Sequence, residues 1–124
     1  MPFKAAIDAG CDCIMAAYIS LPNVVGDDTP TSMSKVMLTD ILWGDFGYDG
    51  VIITDALGMG AISNNYSSGE AALGAFQAGA DLLLMPKNFQ EANNAVLAAV
   101  KGGRIPQERL DVSIYRIAWM KLSQ

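Results

Sequence analysis

Three short apolar runs divide the chain, and none of them alternates apolar with polar positions. They are Cys13-Ile14-Met15, Val51-Ile52-Ile53-Thr54 and Leu82-Leu83-Leu84. Continuous apolar runs of this length are typical of strands in a parallel sheet that is covered on both faces. Each run also follows a turn that contains glycine and aspartate, as a strand entered from the end of a helix does. The pattern therefore predicts three parallel strands.

Amphipathic helices are predicted between these strands and after the last one. The first spans about residues 34–43, where apolar residues recur at helical spacing. Two more are expected to begin at Ser67 and Asn88, because a glutamate follows each of them by three positions, as in a capping box. A last helix is expected after Pro106, since proline is favoured at a helix start.

The last predicted helix is apolar on two sides. Its core stripe is expected to consist of Leu110, Ile114 and Ile117. A second apolar flank consists of Val112, Tyr115, Trp119 and Leu122. A helix with two apolar sides needs two neighbours, and the second could be the rest of a barrel, a following domain or another copy of the chain.

The alternation of helices and strands predicts an α/β fold built of parallel βα units. The 124 residues suit a single domain spanning residues 1–124. A closed barrel needs about 250 residues and eight strands, and three strands would leave both edges of the sheet open. The chain is therefore expected to be either a small open α/β sandwich or a piece of a larger barrel.

Composition and charge exclude several classes of function. Hydrophobic residues make up 52% of the chain and charged residues 17%, which excludes intrinsic disorder. The net charge is −5 without a basic stripe, so no nucleic-acid partner is expected. The apolar runs are too short to cross a bilayer, and no signal peptide opens the chain. We therefore expect no membrane association and a cytoplasmic location.

The sequence contains no histidine and only two cysteines, which excludes most zinc sites and imidazole chemistry. No metal or cofactor is expected. Cys11 and Cys13 are interpreted as buried free thiols, because residues two apart on a strand are badly placed for a relaxed disulfide.

One carboxylate stands where functional residues gather in parallel α/β folds, at the carboxyl end of a strand. Asp55 directly follows the second predicted strand, and small residues surround it. By contrast, Asp12, Asp49 and Asp81 precede their strands, at the opposite end of the sheet. A rigidly held carboxylate such as Asp55 could attack an electrophilic carbon, as retaining glycosidases require, or bind a ribose hydroxyl or a metal.

Residues 46–59, Phe-Gly-Tyr-Asp-Gly-Val-Ile-Ile-Thr-Asp-Ala-Leu-Gly-Met, resemble the nucleophile segment of family 3 glycoside hydrolases. Further pieces resemble the β-N-acetylhexosaminidase branch of this family, at residues 19–22, 28–32, 66–71 and 78–86. The resemblance implies that the chain is a fragment of the family's N-terminal catalytic (β/α)8 barrel and holds about its last three strands. It also implies that Asp55 is the nucleophile.

The resemblance further implies a retaining glycoside hydrolase that releases terminal β-N-acetylglucosamine or β-glucose from a carbohydrate substrate. Met59 and Tyr18 are the residues expected to bind the sugar, although many hexosaminidase relatives carry histidine in place of Tyr18. In this branch the acid/base is a His–Asp pair on an upstream loop. Because this sequence has no histidine, we expect the isolated chain to be inactive.

An alternative function is a non-catalytic α/β module, derived from such a barrel, that serves oligomerisation or interaction. In both cases we expect a homo-oligomer that forms through the open sheet edge or the last helix, because small domains with open edges need partners.

Overall fold

The computed structural model describes residues 2–123, which form an α/β fold. The elements along the chain are α1 (Pro2–Asp8), β1 (Cys13–Ala16), α2 (Pro22–Val25), a 3-10 turn (Thr31–Met33), a π-helix (Val36–Asp45), β2 (Val51–Thr54), α3 (Gly60–Ser63), α4 (Ser68–Ala78), α5 (Phe89–Lys101) and α6 (Gln107–Leu122). Within residues 2–123, no helix combines the length and the apolar character needed to cross a bilayer.

The sheet is small and parallel. β1 pairs with β2 in a register that sets Ala16 opposite Thr54. The prediction of a third strand is wrong, because Leu82 forms only an isolated parallel bridge with Ile53. The amide of Leu84 donates to the Thr54 hydroxyl at 3.0 Å, and not to a main-chain carbonyl, so the ladder does not continue. The third apolar run nevertheless lies beside β2.

The two faces of the sheet differ, so the prediction that both are covered is wrong. Ile52 lies on the covered face and packs against Leu38 of the π-helix and Ala75 of α4. Met15 and Ile53 are register partners on the other face, where Met15 is 54% exposed. Among the described residues, helices cover one side of the strands, whereas the other side is exposed at Met15, although Val51 at the start of β2 is fully buried there.

A π-helix replaces the ordinary helix predicted for residues 34–43. Its wider turn is visible at its end, where the Phe46 amide donates to the Ile41 carbonyl, five residues earlier. Leu38 is its one fully buried side chain among those described, while Leu42 and Trp43 pack partly against the same core. The helical position was predicted correctly, but its hydrogen-bond pattern was not.

The predicted caps of α4 and α5 are present. The Ser67 hydroxyl accepts from the Glu70 amide at 3.2 Å, and the Glu70 carboxylate accepts from the Ser67 amide at 2.8 Å, which completes a capping box. The Asn88 side chain accepts from the Glu91 amide at 3.1 Å. The Glu91 carboxylate, however, accepts from the Gly69 amide and thereby ties α5 to the start of α4.

The inward face of α6 is only partly the predicted one. Leu110 and Ile117 are half-buried, as expected, but Ile114 is 55% exposed, so its placement in the core was wrong. Ser113 is the residue of α6 that is fully buried. The helix is rotated toward Ser113 because this hydroxyl has a polar partner beneath it, the carboxylate of Asp81.

Asp81 anchors α6 to the amino end of the sheet. Its side chain is fully buried and accepts from the Ile52 amide at 3.0 Å and from the Ser113 hydroxyl. Arg109 and Arg116 of α6 bring their guanidinium groups within 3.5 and 3.7 Å of the same carboxylate. The prediction that Asp81 lies on the structural side of the sheet is thus confirmed.

Cys11 and Cys13 are both free thiols, as predicted. They are half-buried, however, so the expectation of full burial is wrong. Cys11 donates to the main-chain carbonyl of Cys13 at 3.2 Å, and burial is the largest cause that raises the pKa of Cys13.

Candidate active site

Asp55 lies immediately after β2, at the carboxyl end of the sheet. Its amide donates to the carbonyl of Ala16, the last residue of β1, at 3.0 Å. Its Oδ1 accepts from the amide of Ala56 at 2.7 Å. The side chain is half-buried. The end of β1 therefore fixes the main chain of Asp55, and the next residue in the chain fixes one of its carboxylate oxygens.

Tyr18 reaches the same residue from the loop after β1. Its hydroxyl donates to the main-chain carbonyl of Asp55 at 2.7 Å, and its ring packs against the cluster that contains Leu57. Burial raises the pKa of Tyr18 to about 12, opposed by a hydrogen bond with Thr54 and assisted by the charge of Asp55. The phenol is therefore a neutral donor at physiological pH.

The loop after Asp55 is bound to the segment beside β2. The amide of Leu57 donates to the carbonyl of Leu84 at 2.8 Å, and the amide of Gly58 donates to that of Met85 at 3.0 Å. A Cβ atom on Gly58 would lie 3.2 Å from the same Met85 oxygen, so only glycine fits this approach without displacement. Met59 follows, 47% exposed.

The structure thus brings two of the predicted site residues, Asp55 and Tyr18, into direct hydrogen-bond contact and places Met59 four residues beyond Asp55. Thr54 has a supporting role that its sequence context does not predict: its hydroxyl accepts from the Leu84 amide and holds the neighbouring segment in place. No signal in the sequence distinguishes this threonine from any other residue of a buried strand.

Comparison with known proteins gives a consistent result. Residues 1–120 match the glycosyl hydrolase family 3 N-terminal domain. A β-hexosaminidase from Chromobacterium violaceum is 41% identical over 113 residues, which are 90% of this chain and 31% of that protein. The structure of a family 3 β-N-acetylglucosaminidase from Paenibacillus superposes with a TM-score of 0.93 at 42% identity, over 97% of this chain and 23% of that one.

The chain spans about a quarter to a third of the length of the curated relatives it matches, from 23% to 34% of each. A further relative, from Arthroderma benhamiae, is described as a secreted glycosyl hydrolase and is 32% identical over 94% of this chain. The expectation of a cytoplasmic location therefore finds no support among the relatives. Since the family match covers all but the last four residues, the chain belongs to glycosyl hydrolase family 3, within its N-terminal domain.

Proposed function

We propose that this chain supplies the nucleophile of a retaining glycoside hydrolase of the β-hexosaminidase type, and that Asp55 is that nucleophile. The observation that carries the proposal is the immobilised, half-exposed carboxylate of Asp55 at the carboxyl end of the sheet. Family membership and the names of the relatives support this activity and a carbohydrate substrate ending in β-N-acetylglucosamine or β-glucose. The rest of a (β/α)8 barrel would complete the site.

In this reaction, a carboxylate oxygen of Asp55 attacks the anomeric carbon of the sugar. The new bond from oxygen to carbon forms as the bond from the anomeric carbon to the leaving oxygen breaks, and a general acid protonates that oxygen. A water molecule then gives its proton to the same group, now a base, and releases the sugar from Asp55. Oδ1 already accepts from Ala56, so Oδ2 is the oxygen proposed to attack.

Two neighbours are proposed to shape the sugar site. Met59 would line it as an exposed apolar side chain beyond the nucleophile. Tyr18 would contribute its ring to substrate binding, while its hydroxyl holds the main chain of Asp55. Because that hydroxyl is already donated to a carbonyl, Tyr18 is not proposed as an acid.

We further propose that the isolated chain turns over glycosides negligibly. General acid–base catalysis contributes about 10²–10⁴ to the rate of such reactions, and substrate positioning contributes more. The resemblance assigns the acid/base to a histidine–aspartate pair, and this sequence has no histidine.

A chimera tests the proposal. Residues 2–123 replace the matching segment of the Paenibacillus β-N-acetylglucosaminidase, and hydrolysis of aryl N-acetyl-β-glucosaminide and aryl β-glucoside is measured. The chimera should be active, and Asp55→Asn should lower its kcat at least about 10⁴-fold, the scale seen when a nucleophile is removed. Asp45→Asn, at an exposed aspartate that ends the π-helix, should leave kcat unchanged. An active chimera in which Asp55→Asn retains its rate contradicts the proposal.

A second proposal concerns self-association through the open sheet. β1 has an unpaired edge among the described residues, and Met15 on its open face is 54% exposed. We expect the chain to form homo-oligomers in sedimentation velocity, and Met15→Glu to shift them to monomers. Leu97→Glu, at a 45% exposed position of α5, is the matched control. A wild-type chain that stays monomeric at high concentration contradicts this proposal.

A further inference from the structure

The hydroxyl of Thr54 is buried directly beside the proposed nucleophile. Thr54 is the last residue of β2, and it is fully buried although its side chain is polar. A buried hydroxyl requires hydrogen-bond partners, because burying it without them costs free energy. Two such partners, Leu84 and Tyr18, lie within the chain itself, so these contacts do not depend on the rest of a barrel.

The two partners fix the direction of each hydrogen bond. The amide of Leu84, the last residue of the third apolar run, donates to the Thr54 hydroxyl at 3.0 Å. The Tyr18 hydroxyl uses its single proton on the main-chain carbonyl of Asp55, at 2.7 Å. Its oxygen can therefore only accept in its hydrogen bond with Thr54, and Thr54 is the donor. This direction agrees with the pKa of Tyr18, which burial raises and the bond with Thr54 lowers, because a donor stabilises the phenolate.

The result is a chain of three hydrogen bonds that all point one way and end at Asp55. It runs from the Leu84 amide through the hydroxyls of Thr54 and Tyr18 to the main-chain carbonyl of Asp55. Hydrogen bonds in such a chain polarise and strengthen one another. The chain also joins three neighbouring segments at the carboxyl end of the sheet, which are the loop after β1, the end of β2 and the third apolar run.

These bonds hold Asp55 through its main chain. Its amide donates to the Ala16 carbonyl at 3.0 Å, and its own carbonyl accepts from Tyr18. Oδ1 is tied locally to the amide of Ala56, so the place of the attacking oxygen, Oδ2, follows from the main chain that Tyr18 holds. Position matters here, because a displacement of about 1 Å can lower the rate of a reaction about 10²-fold.

We infer that Thr54 is a positioning residue for the glycosidase reaction: its hydroxyl orients the hydroxyl of Tyr18, which fixes the main chain of the nucleophile. The inference rests on the proposed function of Asp55. Because its side chain is fully buried, Thr54 acts through Tyr18 and not on the sugar. Without the Thr54 hydroxyl, the phenol loses the donor that directs its oxygen, and the carbonyl of Asp55 is held less firmly.

Steady-state kinetics of the Paenibacillus chimera, with an aryl N-acetyl-β-glucosaminide as substrate, test the inference. Thr54→Val keeps the shape of the side chain but removes the hydroxyl, and it should lower kcat about tenfold or more while KM stays within about twofold. Thr54→Ser keeps the hydroxyl and should retain kcat within about threefold. Thr39→Val is the matched control, because the Thr39 hydroxyl donates to the carbonyl of Ala78, at the end of α4, and it should leave kcat unchanged.

A double-mutant cycle distinguishes this role from a general loss of stability. Tyr18→Phe keeps the ring and should lower kcat about as much as Thr54→Val does. The double variant should lose about tenfold rather than about a hundredfold, because both changes break one hydrogen-bonded chain. Should Thr54→Val not fold, Thr54→Ala replaces it in the cycle, since it removes the hydroxyl without placing a methyl group against the Leu84 amide.

Additive losses in the cycle overturn the inference, and so does an unchanged kcat in either single variant. Asp55→Asn in the same chimera separates the two proposals. If Asp55→Asn abolishes activity while Thr54→Val leaves kcat unchanged, the inference fails and the proposed function stands. If Asp55→Asn retains its rate, the proposed function fails, and the inference fails with it.

Discussion

Replacing Asp81 with alanine should be the most destabilising single change at the junction of α6 and the sheet. The buried carboxylate accepts hydrogen bonds from Ile52 and Ser113 and faces the guanidinium groups of Arg109 and Arg116. Burial lowers the pKa of Arg109, and the Asp81 charge opposes that shift. Without Asp81, two largely buried cations lose their counter-ion and two buried donors lose their acceptor.

The size of the effect follows from known costs of broken buried ion pairs. Removing one partner costs about 3–5 kcal/mol, because the other charge stays buried and uncompensated. The whole free energy of unfolding of such a domain is about 5–15 kcal/mol, so the loss is a large part of it. With a urea m value of about 2 kcal/mol/M, the unfolding midpoint should fall by about 1.5–2.5 M.

Urea unfolding of the 124-residue chain, followed by far-ultraviolet circular dichroism, measures this change. Asp81→Asn keeps one acceptor oxygen, enough for the Ile52 amide, and offers its NH2 group to the Ser113 hydroxyl, but removes the charge, so its midpoint should lie between those of the wild type and Asp81→Ala. Asp45→Ala, at an exposed aspartate, should stay within about 0.5 kcal/mol of the wild type. Equal midpoints for Asp81→Ala and Asp45→Ala would refute the reasoning.

Three further changes test other parts of the structure. Gly50→Ala should lower the free energy of unfolding in urea by about 1–3 kcal/mol, because the new Cβ would lie within 3 Å of the Tyr48 ring. Gly44→Ala is the control and should lower it less, because its Cβ would meet no atom closer than 3.5 Å. Stability should fall as the pH rises from about 10 to about 12, because Tyr18 ionises near pH 10 in the unfolded chain but only near pH 12 in the fold; Tyr18→Phe should reduce that decline, and the remainder includes Tyr48, whose pKa is also raised by burial. Ser67→Ala should cost about 1 kcal/mol by removing the cap of α4, and an unchanged midpoint would contradict this.

The elements that sequence reasoning predicted well are those with local causes. The caps at Ser67 and Asn88 depend on residues three positions away, and both were correct. The prediction of a third strand was wrong because the Leu84 amide donates to the Thr54 hydroxyl and not to a main-chain carbonyl of β2. A run of hydrophobic residues does not reveal that a side chain competes for this hydrogen bond. The π-helix was not predicted because the spacing of apolar residues over ten positions does not show whether each main-chain amide donates to the fourth or to the fifth preceding carbonyl.

The inward face of α6 could not be predicted because a polar residue determines it. Apolar spacing favoured Ile114, but the buried Asp81 carboxylate draws Ser113 inward and Ile114 turns toward solvent. The place of Asp55 followed from the rule that parallel strands carry functional residues at their carboxyl ends. Its contact with Tyr18, 37 residues away, depends on tertiary structure that no local pattern encodes.

Mass spectrometry of a trapped intermediate tests the role of Asp55 most directly. The Paenibacillus chimera is treated with a 2-deoxy-2-fluoro-β-glucoside that carries an activated leaving group, digested, and analysed peptide by peptide. We predict one added fluoroglucosyl unit on the peptide that contains Asp55, and none in the Asp55→Asn chimera. An adduct on a different residue, or turnover of the substrate with no covalent intermediate on Asp55, would contradict the account.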